Sequence, residues 1–185
     1  MQISSLYDTE SGPWNRHLAD LLQFIRHYGE RRITMDSCRR LARLTPELLG
    51  QPGVSLLVAT VRGQYGRQLS GVSFVSGFGK ESCLVAVHPL YRNKHTGTAL
   101  LAAQLQRLGC LECSVASDNA ASLKMCFNAG LVAVALNSGP TGKPTLLLQS
   151  SQHNGFGSTR PVNQTEQSAE PNTSQEGDLL CRNPS

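Results

Sequence analysis

The sequence predicts an α+β domain followed by a polar tail. Apolar, β-branched runs follow one another at short spacing through the middle of the chain, segments with three- and four-residue apolar periodicity flank them, and the composition changes abruptly at Ser150. Successive strands feeding a helix suit a mixed, mostly antiparallel central sheet flanked by helices rather than a doubly wound one. The expected domain covers residues 1–149, with helices over 13–50 and the core over 51–149; residues 150–185 read as a disordered tail.

The elements follow in order. Ser11-Gly-Pro-Trp14 opens a helix, along which Trp14, Leu18, Leu21, Leu22, Ile25 and Tyr28 recur at core spacing up to Gly29. A second helix runs from Thr34 or Asp36 to Leu44, with Cys38, Leu41 and Leu44 on one face and Arg39, Arg40 and Arg43 on the other; Thr45-Pro46-Glu47 starts a short third one, closed by Gly50. The arginine face is either a contact for an acidic substrate or nucleic acid, or an ordinary solvated face, and the acids Glu30, Asp36 and Glu47 weaken the first reading. Residues 54–61 and 68–75 form a hairpin, residues 81–87 a third strand, and residues 97–108 a helix with Leu100, Leu101, Leu105 and Leu108 at core spacing. A strand over 112–117, a helix from Asn119 to Gly130 and two final strands, 132–136 and 145–149, complete the domain.

Composition narrows the function. The longest apolar runs are far below the ~20 residues a bilayer requires, and the first residues lack the apolar core of a signal peptide, so the expected compartment is cytoplasmic, without membrane contact. Of the six cysteines, Cys110 and Cys113 have metal-like spacing, but with no second pair and no neighbouring histidine they read as core residues, and no metal is expected. The net charge is +4, and residues 51–110 hold six Lys or Arg against Glu81 alone. That excess suits either an anionic ligand or a solvated basic face; nucleic acid is not the expected partner.

The most informative stretch is Cys83 to Leu101. An apolar strand, Leu84-Val85-Ala86-Val87, is stopped by His88-Pro89 and passes through Arg92-Asn93-Lys94-His95-Thr96-Gly97 into a helix start. Such a junction directs backbone N–H groups and the positive end of a helix dipole at one spot, which suits phosphate. It resembles the acyl-CoA-binding motif of the GCN5-related N-acetyltransferase superfamily, (Gln or Arg)-x-x-Gly-x-(Gly or Ala), with His95 where the inner glycine usually stands. A positive φ there costs histidine about 1 kcal/mol. A second resemblance to the same superfamily lies about 20 residues on: against Asn-x-x-Ala-x-x-Leu-Tyr-x-x-x-Gly-Phe the chain supplies Asn119, Ser122, Cys126, Gly130 and Leu131.

With the flanking strands the resemblance covers roughly residues 50–149, and it implies an enzyme that transfers acetyl from acetyl-CoA, as co-substrate, to an amine acceptor by direct attack. The alternative is a non-catalytic relative that binds CoA or regulates a partner. The resemblance implies backbone contacts to the pantetheine arm at Val85, Ala86 and Val87, along a strand that splays at a bulge, and pyrophosphate contacts at Arg92, Asn93, Lys94, His95, Thr96, Gly97 and Thr98. It puts an oxyanion donor at the Val87 N–H and an acid at Cys126, where the family has tyrosine. Asn119 is either a CoA contact or the N-cap of its helix. Glu81 and His88 are the candidate general bases, and His88 has the alternative of stacking over the turn. Neither the acceptor nor the oligomeric state follows from the sequence.

Overall fold

A computed structural model describes residues 1–5, 13–29, 32–64, 66–139 and 142–150. Of the expected tail, 150–185, Ser150 is instead the buried last residue of a strand, and residues 151–185 lie outside the described residues. Strand β1 (Gln2–Ser5) precedes helices α1 (Trp14–Tyr28), α2 (Met35–Ala42) and α3 (Pro46–Leu49). Strands β2 (Ser55–Gly63), β3 (Gly66–Ser76) and β4 (Ser82–Val87) follow, then α4 (Thr96–Leu108), β5 (Glu112–Ala116), α5 (Ala120–Asn128), β6 (Leu131–Ser138) and β7 (Pro144–Ser150). The α+β class holds. The central sheet, however, is two antiparallel sheets, β1-β2-β3-β4 and β5-β7-β6, and no ladder among the described residues joins β4 to β5.

The helices start and stop where side chains satisfy their free ends. Thr34 accepts from the N–H of Ser37 at the head of α2, and Thr45 accepts from Leu48 at the head of α3, with Pro46 in the first turn. Helix α1 presents Leu18, Leu21, Phe24 and Ile25 to a core shared with Leu41, Leu44 and Leu49, and the Trp14 indole donates to the Leu44 carbonyl (3.1 Å).

The unbroken apolar run of β2 has a simple cause, because the strand is covered on both faces. Leu56 and Val58 join Val72, Phe74, Leu84 and Ala86 under the α1–α3 layer, whereas Leu57 and Ala59 meet Leu100 of α4 on the other side. Gly71 lets α4 come close, since a Cβ there would stand 2.9 Å from Leu100 Cδ1 and 3.2 Å from Thr96 Cγ2. The second sheet carries its own core, in which Leu111, Cys113, Val115 and Leu148 pack with Leu101, Cys126 and Leu131.

The register breaks between Ala59 and Thr60, where Ser70 becomes an extra residue in β3. The bulge implied for the splayed strand is therefore one strand removed: β4 pairs with β3 from Ser82 to Val87 without a shift. Its opposite edge is the one left open. No helix among the described residues is long and apolar enough to cross a membrane.

Candidate active site

The open edge lies between the half-sheets. At its base the chains touch backbone to backbone: Gly79, at φ +94°, sits so close to Glu112 that a Cβ would overlap the Glu112 carbonyl. Beyond this contact β4 and β5 run without mutual pairing. The His88 N–H donates to the Ser70 carbonyl of β3 (2.9 Å). By the alternation of an antiparallel ladder, Val87 and Val85 then turn their N–H and C=O groups away from β3, toward the gap, while Ala86 turns its own into the ladder. Of the three backbone contacts predicted, two face the gap. The Val87 carbonyl accepts from Arg92 Nε (3.2 Å), which leaves its N–H as the donor directed into the gap.

The cationic turn folds through two left-handed residues, Asn93 (φ 58°) and His95 (φ 59°, ψ 11°). Histidine thus takes the conformation for which a glycine is usual, and such alternation lines a concavity with successive N–H groups. The first helical bond of α4 runs from Ala99 N–H to the His95 carbonyl (2.9 Å), so the N–H groups of Thr96, Gly97 and Thr98 have no helical partner and point out of the helix start. Gly97 is needed for a different reason from Gly79: its φ is ordinary, but a Cβ would come 2.6 Å from Met125 Sδ of α5. Thr96 is buried beneath the turn, and Lys94 extends over the Tyr91 ring, 5.6 Å from its centroid. Arg92 acts here as a brace; beyond its bond to Val87 it donates to the Tyr28 carbonyl (3.1 Å), tying the end of α1 to the end of β4.

The side chains nominated for proton transfer do not converge. Cys126 is 2% exposed, and its sulfur lies 3.7 Å from that of Cys113. The contact with Cys113, and then burial, push its thiol well above the ordinary range. This is a core position, and its burial against Cys113 speaks for packing rather than for proton transfer. Glu81 precedes β4, at the far end from Val87, roughly 20 Å away at about 3.3 Å per residue. Its carboxylate accepts from Ser76 and from Arg40 Nη1 (3.1 Å), and so anchors α2. Arg40 also pairs with Asp36 (2.8 Å), which gives the arginine face an ordinary explanation.

His88 does sit beside the gap, stacked among Tyr28 (4.5 Å between centroids), Tyr91 (5.7 Å) and Phe24 (6.5 Å). Its Nδ1 accepts from the Leu90 N–H (3.2 Å), which puts the ring proton of the neutral form on Nε2 and makes that atom a donor rather than a base. Asn119 caps α5, accepting from the Ser122 N–H (3.3 Å), so the capping alternative is the one realised.

One cluster had almost no signal in the sequence. Asp118, in the turn after β5, receives Arg32 of the α1–α2 connection (3.0 Å) and Lys143 of the β6–β7 loop (2.6 Å). The Lys143 hydrogen bond, with Arg32 behind it, holds this carboxyl below the usual range. Adjacency to Asn119 was the only pointer to Asp118; its partners come from loops 86 and 25 residues away in the chain.

No family model matches the chain, and no curated protein matches it in sequence. Solved structures do. An AAC(6')-Ib structure in complex with parmomycin and acetyl-CoA is 16% identical, with 85% of this chain and 98% of that one covered at a TM-score of 0.53. A variant of the spermidine N-acetyltransferase SpeG from Vibrio cholerae is 11% identical over 83% of this chain and 96% of its own, at 0.56. The aminoglycoside acetyltransferase AAC(6')-Ib with coenzyme A and kanamycin is 18% identical over 80% and 93%, at 0.52. At such identities the likeness speaks for architecture, and the chain has the fold of the GCN5-related N-acetyltransferases.

Proposed function

We propose that the chain is an acyl-CoA-dependent N-acyltransferase that moves acetyl from acetyl-CoA to an amine. The observation that carries this reading is the unpaired edge of β4, which directs the Val85 and Val87 N–H groups into the gap and leads, within ten residues, to the N–H-lined turn at the head of α4. A pantetheine arm supplies amide groups for such an edge, and a pyrophosphate suits the turn and the helix start. The named acetyltransferase neighbours, one of them holding acetyl-CoA, support the same assignment.

In this reading the amine nitrogen attacks the thioester carbon, the carbonyl electrons move onto oxygen, and the Val87 N–H receives the developing oxyanion. Collapse restores the carbonyl and breaks the carbon–sulfur bond; the proton lost by nitrogen ends, directly or through water, on the thiolate. No side chain is assigned as the acid. Alignment in the gap supplies most of what such a step requires, up to roughly 7–11 kcal/mol in well-oriented systems.

The buried Cys126 favours a second reading, a non-catalytic CoA-binding module. Titration calorimetry with acetyl-CoA and with desulfo-CoA separates the two when followed by CoA release in the presence of primary amines. We expect micromolar binding of both ligands, about tenfold weaker in Lys94→Glu, the loss of ~1.4 kcal/mol that reversing an exposed charge beside a phosphate produces. Binding without CoA release across a panel of amines selects the module; no binding by folded protein removes both readings.

A further inference from the structure

Strand β6 is the one element of the domain whose sequence and surroundings disagree. It reads Leu131-Val132-Ala133-Val134-Ala135-Leu136, without a charge from Leu131 to Ser138, yet among the described residues it stands at the edge of its sheet with only β7 beside it. Val132, Val134 and Leu136 are 48%, 50% and 65% exposed, and Phe127 of the neighbouring helix α5 is exposed as well. Edge strands ordinarily carry a lysine, a proline or an inward-pointing charge that blocks pairing with another chain. This strand carries none of them.

The register says what fits on it. β6 pairs with β7 so that Leu131, Ala133 and Leu136 stand opposite Ser150, Leu148 and Leu146, and Val132 and Ala135 stand opposite Gln149 and Leu147. Leu146, Leu148 and Ser150 alternate on the face covered by α5, where Leu148 and Ser150 are buried. Leu131 and Leu136 therefore share that face, and Val132 and Ala135 share the other. In a regular strand residues five apart point to opposite sides; the shift between Ala133 and Ala135, which makes Val134 an extra residue, brings Leu131 and Leu136 to the same side.

A second β6, laid antiparallel about a two-fold axis at the bulge, then sets Leu131 against Leu136 of the other copy and Val132 against its Ala135. Each pair lies on a common face, and a large residue meets a small one on the outer face. The exposed Phe127, at the Leu131 end, meets the other copy's Leu136 end.

We propose that β6 is a self-association edge, across which two copies of this chain join β5-β7-β6 into a continuous six-stranded sheet. An eight-residue strand is roughly 26 Å long and, with side chains on both faces, covers roughly 500 Å² per copy, about 1,000 Å² in all, near the lower limit for a specific interface. The association is accordingly micromolar. The absence of charge on the strand makes it insensitive to salt, and the two-fold pairing satisfies the same groups on both copies.

The test is sedimentation of the full chain from about 1 to 100 µM, together with hydrogen exchange of the 131–138 amides across that range. The expected result is a monomer–dimer equilibrium unchanged by salt, slower β6 exchange at the higher concentration, and monomers throughout for Val132→Lys and Leu136→Lys with unchanged circular dichroism. A wild-type monomer at 100 µM overturns the proposal, as does a dimer that survives both lysine substitutions in folded protein. Protection of β6 that does not depend on concentration also overturns it, and assigns the edge to another segment of the same chain. The exchange measurement needs no variant and decides the matter even where the lysine variants fail to fold.

Discussion

The four-stranded sheet is covered on both faces, by α1–α3 on one side and α4 on the other, whereas the three-stranded sheet has a helix on one face and leaves its last strand bare. The first half uses continuous apolar runs and a buried polar contact, Gln104 Nε2 to the Ser73 carbonyl (3.1 Å), to fix α4 across the sheet. The second half has a compact core of small thiols and leucines around α5 and little else. The gap between them is where, among the described residues, the fold leaves backbone donors without partners, so the proposed chemistry sits at a seam between a half packed on both faces and a sparser one.

The comparison breaks most visibly at the contact that joins the halves. Gly79→Ala places a methyl group onto the Glu112 carbonyl at a backbone angle only glycine takes easily, and the expected destabilisation is about 3 kcal/mol, read as a large fall in Tm or loss of soluble protein. Within the sparser half, Cys126→Ser puts a hydroxyl into the thiol core, at a cost of about 1–3 kcal/mol. Folded Cys126→Ser is expected to bind acetyl-CoA and release CoA at the wild-type rate, since Cys126 is a packing residue; a loss of turnover at unchanged affinity would reinstate it as the acid.

The smallest effect belongs to Asp118→Asn, which unlinks Arg32 and Lys143 from the turn after β5. Both pairs are exposed and screened by solvent, so the loss in stability is small. The carboxyl is lowered in the folded state, so its contribution is present above its ordinary value of 3.8 and is lost as pH falls through the lowered one. Thermal melts of wild type and variant should therefore differ slightly at pH 7 and converge in strong acid.

Much of the first half was legible because its signals are local and redundant: the Trp14–Tyr28 periodicity, the Thr34 and Thr45 caps, and the β-branched run beginning at Val54 all agree with the elements formed. Strand β1 was not, because Gln2–Ser5 has one large apolar residue, Ile3, and exists only through pairing with residues 57–60. The turn at 92–97 and the helix start were legible from their residue types. The direction of each side chain was not: Cys126 sits at the expected alignment position but faces Cys113, and Arg92 serves carbonyls that belong to two other elements. The Cys126–Cys113 and Arg92–Tyr28 contacts span 13 and 64 residues, and no local pattern encodes them.

Tyr28 and Arg32 are four residues apart in the chain, the first held through Arg92 to the end of β4, the second bonded to Asp118 after the end of β5. The α1–α2 connection thus reaches both sides of the gap at its wide end, and its grip on the β5 side is one exposed ion pair. Such a pair rearranges on the time scale of surface side chains, picoseconds to nanoseconds, far faster than any catalytic cycle. If the gap takes a ligand as proposed, the Asp118 side of its rim is the one free to yield, because it is held by exposed side-chain ion pairs, whereas the Val87 side is held by bonds from Arg92 to backbone carbonyls.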